Sequence, residues 1–472
     1  MPEPCHPGAA RRRDGSPPER PPARRKAVPS DLRGPVRLRA SHAPPPQLPL
    51  AHLLAIPGWL LAGAVLLGWH QQALLSTRWA PATVAIVHAF LLGVVGNAML
   101  GALQQFLPVA AHADTRWMRR IGLPVAAAFQ LGLGMLVTGF LTSPRLRATG
   151  ACLVASALLA YLGAATHALA RAPSGALQQR LRIALAALGT AVLFGLILAL
   201  HPTGPSRVGH AAMADVHAML ALGGGVAGLL GAVAAVVMPM LAGLPAWPER
   251  ALVRAWRAAG LLLASAVLAR LTGWLDSAAA MLLAFQPLLW LALAVLVGLR
   301  RRRGRRRPGL ALAWAVGSAA MPCVAALALL GATLPSPRAL AIAAWLVPTV
   351  ALPVLVQGML LEIVPFLLWN RLVQARAPGS HLHLPGVDGL LPQGPKRRLA
   401  WLAGVVPTLL LAAIATARPI LWHAAALALA AQSLALGLAL WRCLHGSLRL
   451  AHRFGLRPFA WITPQQTGRA ES

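Results

Sequence analysis

The stretch ATVAIVHAFLLGVVGNAMLGALQQFLPVA, residues 82–110, has no Asp, Glu, Lys or Arg, and the stretch AHADTRWMRR that follows it, residues 111–120, brings three arginines. A helix of about 20 residues, rising about 1.5 Å per residue, crosses about 30 Å of hydrocarbon. The first stretch is longer than that, and a basic turn closes it. Working outward, further apolar stretches lie near 51–69, 121–141, 150–169, 181–200, 211–242, 258–275, 278–299, 309–334, 339–369, 399–417 and 419–443. With 82–110 they number twelve. Three are long enough to require tilt or an interfacial extension.

The connections sort by charge. Arginines crowd the stretch before the first span, from Arg11 to Arg39, and then every second connection: Arg116, Arg119 and Arg120; Arg171, Arg180 and Arg182; Arg250, Arg254 and Arg257; Arg300 to Arg307; and Arg371 to Arg398. The intervening connections carry little more than Arg78, Arg145, Arg147, Arg207, Asp276, Arg338 and Arg418. Excess Lys and Arg marks cytoplasmic loops. The pattern predicts an all-α, polytopic membrane helix bundle of about 12 transmembrane helices with both termini cytoplasmic. Residues 1–50 then form a basic, Pro/Arg-rich disordered tail, 51–443 the transmembrane domain, and 444–472 a short cytoplasmic tail.

Composition agrees. The 472 residues are 57% hydrophobic and 11% charged, against about 25% charged in soluble domains. The net charge of +32 does not point to nucleic acid. Its arginines sit in short turns beside apolar spans, where they set topology and meet anionic lipid head groups. No apolar core precedes a cleavage site near the N-terminus, so no signal peptide is expected. Cys5, Cys152, Cys323 and Cys443 are scattered and suggest neither disulfides nor a thiolate metal site. Trp59, Trp79, Trp117, Trp274, Trp369, Trp401 and Trp441 fall at span ends, as an interfacial belt does. Heavy use of Ala, Arg and Gly suits a GC-rich bacterial genome, hence a bacterial inner membrane.

Two spans share a pattern. The second begins His-Ala-Phe-Leu-Leu-Gly at His88 and runs through Gly96 and Gly101 to Pro108. The sixth begins His-Ala-Met-Leu-Ala-Leu-Gly at His217 and runs through Gly228 and Gly231 to Pro239. The tenth repeats the last step with Gly358 and Pro365, but Trp345 takes the histidine's place. The topology puts both histidines within about 10 Å of the outer surface. Small residues recur at helical spacing on both spans: Ala89, Gly93, Asn97, Gly101 and Gln105 on the second; His217, Ala221, Gly224, Gly228, Gly231 and Ala235 on the sixth. Such stripes serve close helix packing or leave room for a flat cofactor beside the backbone.

Polar groups in hydrocarbon are costly and informative. Glu362, in the tenth span, is read either as a proton-handling carboxylate or as the partner of Arg371 or a loop arginine. Asp215 and Asp276 fall near outer ends, with Arg270 within reach of Asp276. His70, His201, His210 and His423 lie at outer span ends, and His52, His167 and His445 at inner ones. His88 and His217 are the candidate cofactor ligands, because neutral imidazole binds haem iron and copper. His210 is a further candidate metal ligand beside His217, and His210 and Asp215 are candidates for orienting hydrogen bonds.

The segments HAFLLGVVGNAMLGALQQFLPV (88–109), HAMLALGGGVAGLLGAVAAVVMPM (217–240) and GMLLEIVPFLLWNRL (358–372) resemble the catalytic subunit I of haem-copper oxidases. The resemblance implies twelve spans, a haem-ligating histidine at His88 and a copper-ligating one at His217. It departs in two places. Residues 345–353 lack the two histidines of the family's tenth span, and residues 258–276 lack the His-His pair of its seventh. The resemblance therefore implies one haem or one copper at most, with a respiratory-chain or haem/copper partner, serving electron transfer, sensing or assembly. No catalytic residues are expected. Two alternatives stand beside it: a solute transporter, and a cofactor-free accessory subunit.

Overall fold

The computed structural model describes residues 42–71, 73, 78–201, 207–242, 246–276, scattered positions between 279 and 294, 352–376, 383–416 and 418–456. Most of the predicted eighth span, the ninth span, the first part of the tenth with Trp345, the Arg300–Arg307 turn and most of both tails lie outside these residues. The described residues are helical, 87% of them, with no strand. Nine helices among them are long and apolar enough to cross a membrane.

Helix α1 (Gln47–Leu53) and α2 (Ile56–Trp69) make up the first span. There follow α3 (Pro81–Val109), α4 (Arg116–Thr142), α5 (Pro144–Ala170), α6 (Ala176–Leu200), α7 (Gly209–Met240) and α8 (Glu249–Leu271). The last four are α9 (Leu352–Gln374), α10 (Val387–Leu390), α11 (Gln393–Thr416) and α12 (Pro419–Arg453). Apolar runs choose the helices, and proline sets several starts. Pro81, Pro144 and Pro419 stand at first helical positions, where a missing N–H is harmless. Asp114 accepts hydrogen bonds from the Arg116 backbone N–H and guanidinium, at 3.1 and 2.8 Å, just ahead of α4. Those bonds hold its carboxyl below the usual range. Helix α12 continues past the expected end of the last span at 443 to Arg453.

Helix α3 is the hub. It packs on α1, α2, α4 and α9. On one side a core joins α1, α2, α3 and α9 to α12, around Ile56, Leu60, Val94, Leu360 and Leu436. On the other, a second core joins α3 to α4, α5, α6 and α7, around Phe129, Leu133, Tyr161 and Leu185. The Tyr161 hydroxyl donates to the Leu100 carbonyl at 2.9 Å and ties α5 to α3. Large side chains point outward instead of in: Leu131, Ile183, Leu193, Leu261, Leu268, Leu427 and Leu434 are all exposed. A face of that kind suits a lipid surround and not water.

Both kinds of connection collect at opposite ends. Arg78, before α3, and Arg270, at the end of α8, meet Asp215 near the start of α7. Arg180, at the start of α6, meets Glu249, at the start of α8. Chain segments that alternation assigns to one side are thus found on one side.

Candidate functional site

Helices α3 and α7 share a local irregularity. Each opens into a wide π turn just after its histidine, over Leu91–Gly96 after His88 and over Met219–Val226 after His217. Such turns are rare and often mark functional positions. Here they fall at matching places in the two repeated motifs. By contrast, α9 is α-helical from Leu352 to Gln374.

The two imidazoles meet. Their ring centres are 6.4 Å apart and their planes differ by 11°. His88 Nδ1 lies 2.8 Å from the Val84 carbonyl, and His217 Nδ1 lies 2.8 Å from the Ala191 carbonyl on α6. A carbonyl only accepts, so each Nδ1 carries the proton, and each neutral ring keeps a lone pair on Nε2. Neither Nε2 has a hydrogen-bond partner among the described residues. Phe140 backs His88 at 5.3 Å between ring centres. Gly195 backs His217: a Cβ there would sit 2.7 Å from the His217 Cε1. Glycine at that position makes space for the ring.

The separation of 6.4 Å falls in the range of ordinary aromatic pairs. The planes are nearly parallel, so the pair is stacked, and an ion shared by the two rings would need their Nε2 atoms turned toward it. What favours a ligand is the arrangement of protons. Metal-binding histidines characteristically donate their other N–H to a carbonyl or carboxylate, and both rings here do so.

No protein-family profile matches the chain, and no curated protein matches it in sequence.

Three expected neighbours lie elsewhere. His210 sits two turns from His217 and packs on Trp79, ring centres 6.1 Å apart. Asp215 orients neither imidazole. It is buried between Arg78 and Arg270, which donate to its two oxygens at 2.6 and 2.7 Å. The orienting acceptors are backbone carbonyls instead. Arg270 thus passes over Asp276, which accepts from the Ala279 N–H at 2.8 Å. The reason is burial: the Asp215 carboxylate is 1% exposed and needs charge neutralisation more than the solvated Asp276 does.

Glu362 is paired, but not with an arginine. The Lys396 ammonium, fully buried on α11, donates to it at 3.1 Å and lies 3.6 Å from Asp388. Arg371 turns to the carbonyls of Ala43 and Pro44. No group of three or more His, Cys, Asp or Glu able to hold a metal occurs among the described residues.

The small-residue stripes are packing surfaces. A Cβ at Gly93 would fall 2.5 Å from Trp59, and one at Gly224 would fall 2.7 Å from Ala187. Side chains fill the space that a flat group would take. The stripe on α3 also ends at Gln104, which is buried, in place of Gln105. Seven residues from Asn97 complete two turns, and eight overshoot the face.

Sequence reasoning missed a buried polar network beside these stripes. Trp59 Nε1 donates to Gln130 Oε1 at 2.7 Å, Gln130 Nε2 donates to Asn97 Oδ1 at 2.6 Å, and His52 Nδ1 shares that oxygen at 2.9 Å. Trp59 therefore lies inside the bundle and not in the interfacial belt. Trp69, Trp79, Trp117, Trp274 and Trp401 are exposed near helix ends, as the belt requires, whereas Trp441 is exposed well inside α12 and Trp369 is partly buried, its Nε1 donating to the Pro385 carbonyl at 3.0 Å. A second pair, Gln432 to Gln357 at 2.6 Å, links α12 to α9. The available signal was an Asn and three Gln within otherwise apolar spans.

Proposed function

We propose that this chain is a bacterial inner-membrane protein of about twelve spans, distantly similar to haem-copper oxidase subunit I, that holds one haem iron or copper ion between His88 and His217. The observation that carries the reading is the pinning of both Nδ1–H groups to the backbone carbonyls of Val84 and Ala191, which turns both Nε2 lone pairs into ready ligands. A bound iron or copper supplies one-electron chemistry. The residues hold and orient it: the carbonyls fix the tautomers, Gly195 gives the His217 ring its clearance, and Phe140 limits rotation of His88. The filled glycine stripes favour a single ion over a porphyrin lying along them.

The missing histidines of residues 258–276 and 345–353 exclude the family's binuclear centre, so the proposed role is electron transfer, sensing or assembly, beside a respiratory or metal-handling partner. The test is metal analysis and an absorption spectrum on detergent-purified protein, with His88→Ala and His217→Ala. One equivalent of copper or haem, lost in both variants, is expected. Metal-free wild-type protein after growth in copper and haem would overturn the reading in favour of an accessory subunit. Substrate-dependent uptake by vesicles would favour a transporter.

A further inference from the structure

Three buried polar atoms on one seam of the bundle lack hydrogen-bond partners: His52 Nε2, and both Gln104 Nε2 and Gln104 Oε1. His52 is fully buried and Gln104 is 3% exposed. Contacts of neighbouring residues place them in order. Leu53 and the Pro49 carbonyl lie against Gly101, while Leu48 lies against Gly122, beside Gln104 Nε2. Helix α1 therefore runs antiparallel to α3. His52 faces Asn97, and one turn earlier Leu48 is level with Gln104, about 6 Å along the axis at 1.5 Å per residue. Both lie beside Gly122, two turns into α4 from its arginine-rich start.

The donors of the adjoining network leave one assignment for His52. Asn97 Nδ2 is committed to the Gly93 carbonyl at 2.9 Å, so Asn97 Oδ1 is the acceptor and His52 Nδ1 carries the proton. Its Nε2 is then a lone pair that needs a donor. Gln104 lacks partners for both its N–H and its carbonyl. Orphaned polar groups are costly in a packed interior, and several on one seam call for ordered water.

We propose that water molecules file along the α1–α3–α4 seam past Gln104 to His52, and carry protons between the arginine-rich end of the bundle and that imidazole. A water proton delivered to Nε2 makes an imidazolium, whose second N–H still points at Asn97 Oδ1. Return of the same proton restores the neutral ring. The proposal is independent of any metal at His88 and His217.

The test is water-edited solid-state NMR on the full chain, labelled with nitrogen-15 histidine and reconstituted in liposomes. The His52 signal is identified by its loss in His52→Gln. Water magnetisation is expected to reach the His52 ring as fast as it reaches exposed His452, and several-fold more slowly in Gln104→Leu, which keeps the side-chain volume. The unchanged Asn97-bonded shift of His52 reports a native fold in the variant. If Gln104→Leu does not fold, Gln104→Met, which keeps the volume and also removes the amide, carries the same expectation. Slow transfer to His52 in wild-type protein, or equal rates in wild type and variant, would overturn the proposal.

Discussion

At the scale of single residues, an oriented pair of imidazoles and a buried carboxylate carry the chemistry. His88 and His217 were legible in the sequence, because both open a repeated motif at one depth. The carbonyls that fix their tautomers were not, since Val84 and Ala191 contribute only backbone, which has no signature in side-chain identity. Glu362 shows the same limit. Its need for a cation was readable, but Lys396 comes from a helix 34 residues away. If the His217 ring needs the space at Gly195, Gly195→Ala weakens metal binding by about 10-fold, the lower end of losing an orienting contact, while circular dichroism stays unchanged; isothermal titration with copper checks this. Asp215 gives a contrast in magnitude. Asp215→Ala leaves Arg270, 13% exposed, buried without its carboxylate, and lowers stability by about 3–5 kcal/mol. Arg78 is 38% exposed, so Arg78→Gln costs about 0–1 kcal/mol. Thermal unfolding in detergent separates the two.

At the scale of elements, helix positions followed from apolar length and prolines, and helix irregularity did not. The stretches LLGVVG and MLALGGGV contain glycine, but glycine in an apolar span more often serves packing, so composition does not locate a π turn. The turn on α3 stands between His88 and Asn97 and sets their relative facing. Deleting Val94 should restore α-helical winding and rotate the two by about 100°. The deletion variant then keeps the His52–Asn97–Gln130 network or the His88–His217 pairing, but not both, and loses metal if the core network wins. The links between elements are weaker than their burial suggests. Trp59→Phe removes the donor to Gln130, which would cost about 1–3 kcal/mol in a soluble interior. Interhelical hydrogen bonds in membranes average about 0.6 kcal/mol, because the separated helices also find partners. The expected loss is therefore below about 2 kcal/mol, read from the denaturation midpoint in mixed micelles. Asp114 ties α4 to pH. Its folded carboxyl is held below the ordinary range by Arg116, so its contribution is present above the unfolded value and fades as pH falls through the folded one. Hydrogen exchange at the first turn of α4 should quicken on that acid side, and Asp114→Asn should remove the pH dependence.

At the scale of the whole molecule, orientation is the property from which the rest takes its meaning, because it says which compartment the histidine pair faces. The structure supplies the relative half of the argument. Arg78, Asp215 and Arg270 gather at one end, and Arg180 with Glu249 at the other, so α8 joins opposite ends through 23 residues. At about 1.5 Å per residue it spans about 34 Å, enough for the hydrocarbon. The arginine bias of the sequence predicts the absolute half, with Arg250, Arg254 and Arg257 inside. On that expectation Trp274 and Arg254 bracket the bilayer. In a background with all four cysteines replaced, Trp274→Cys should react with a membrane-impermeant maleimide in intact spheroplasts, and Arg254→Cys only after lysis. The reverse result would invert the protein and move His88 and His217 to the cytoplasmic side. Labelling of both positions from one side would mean that α8 does not cross, and the assignment of ends would fail with it.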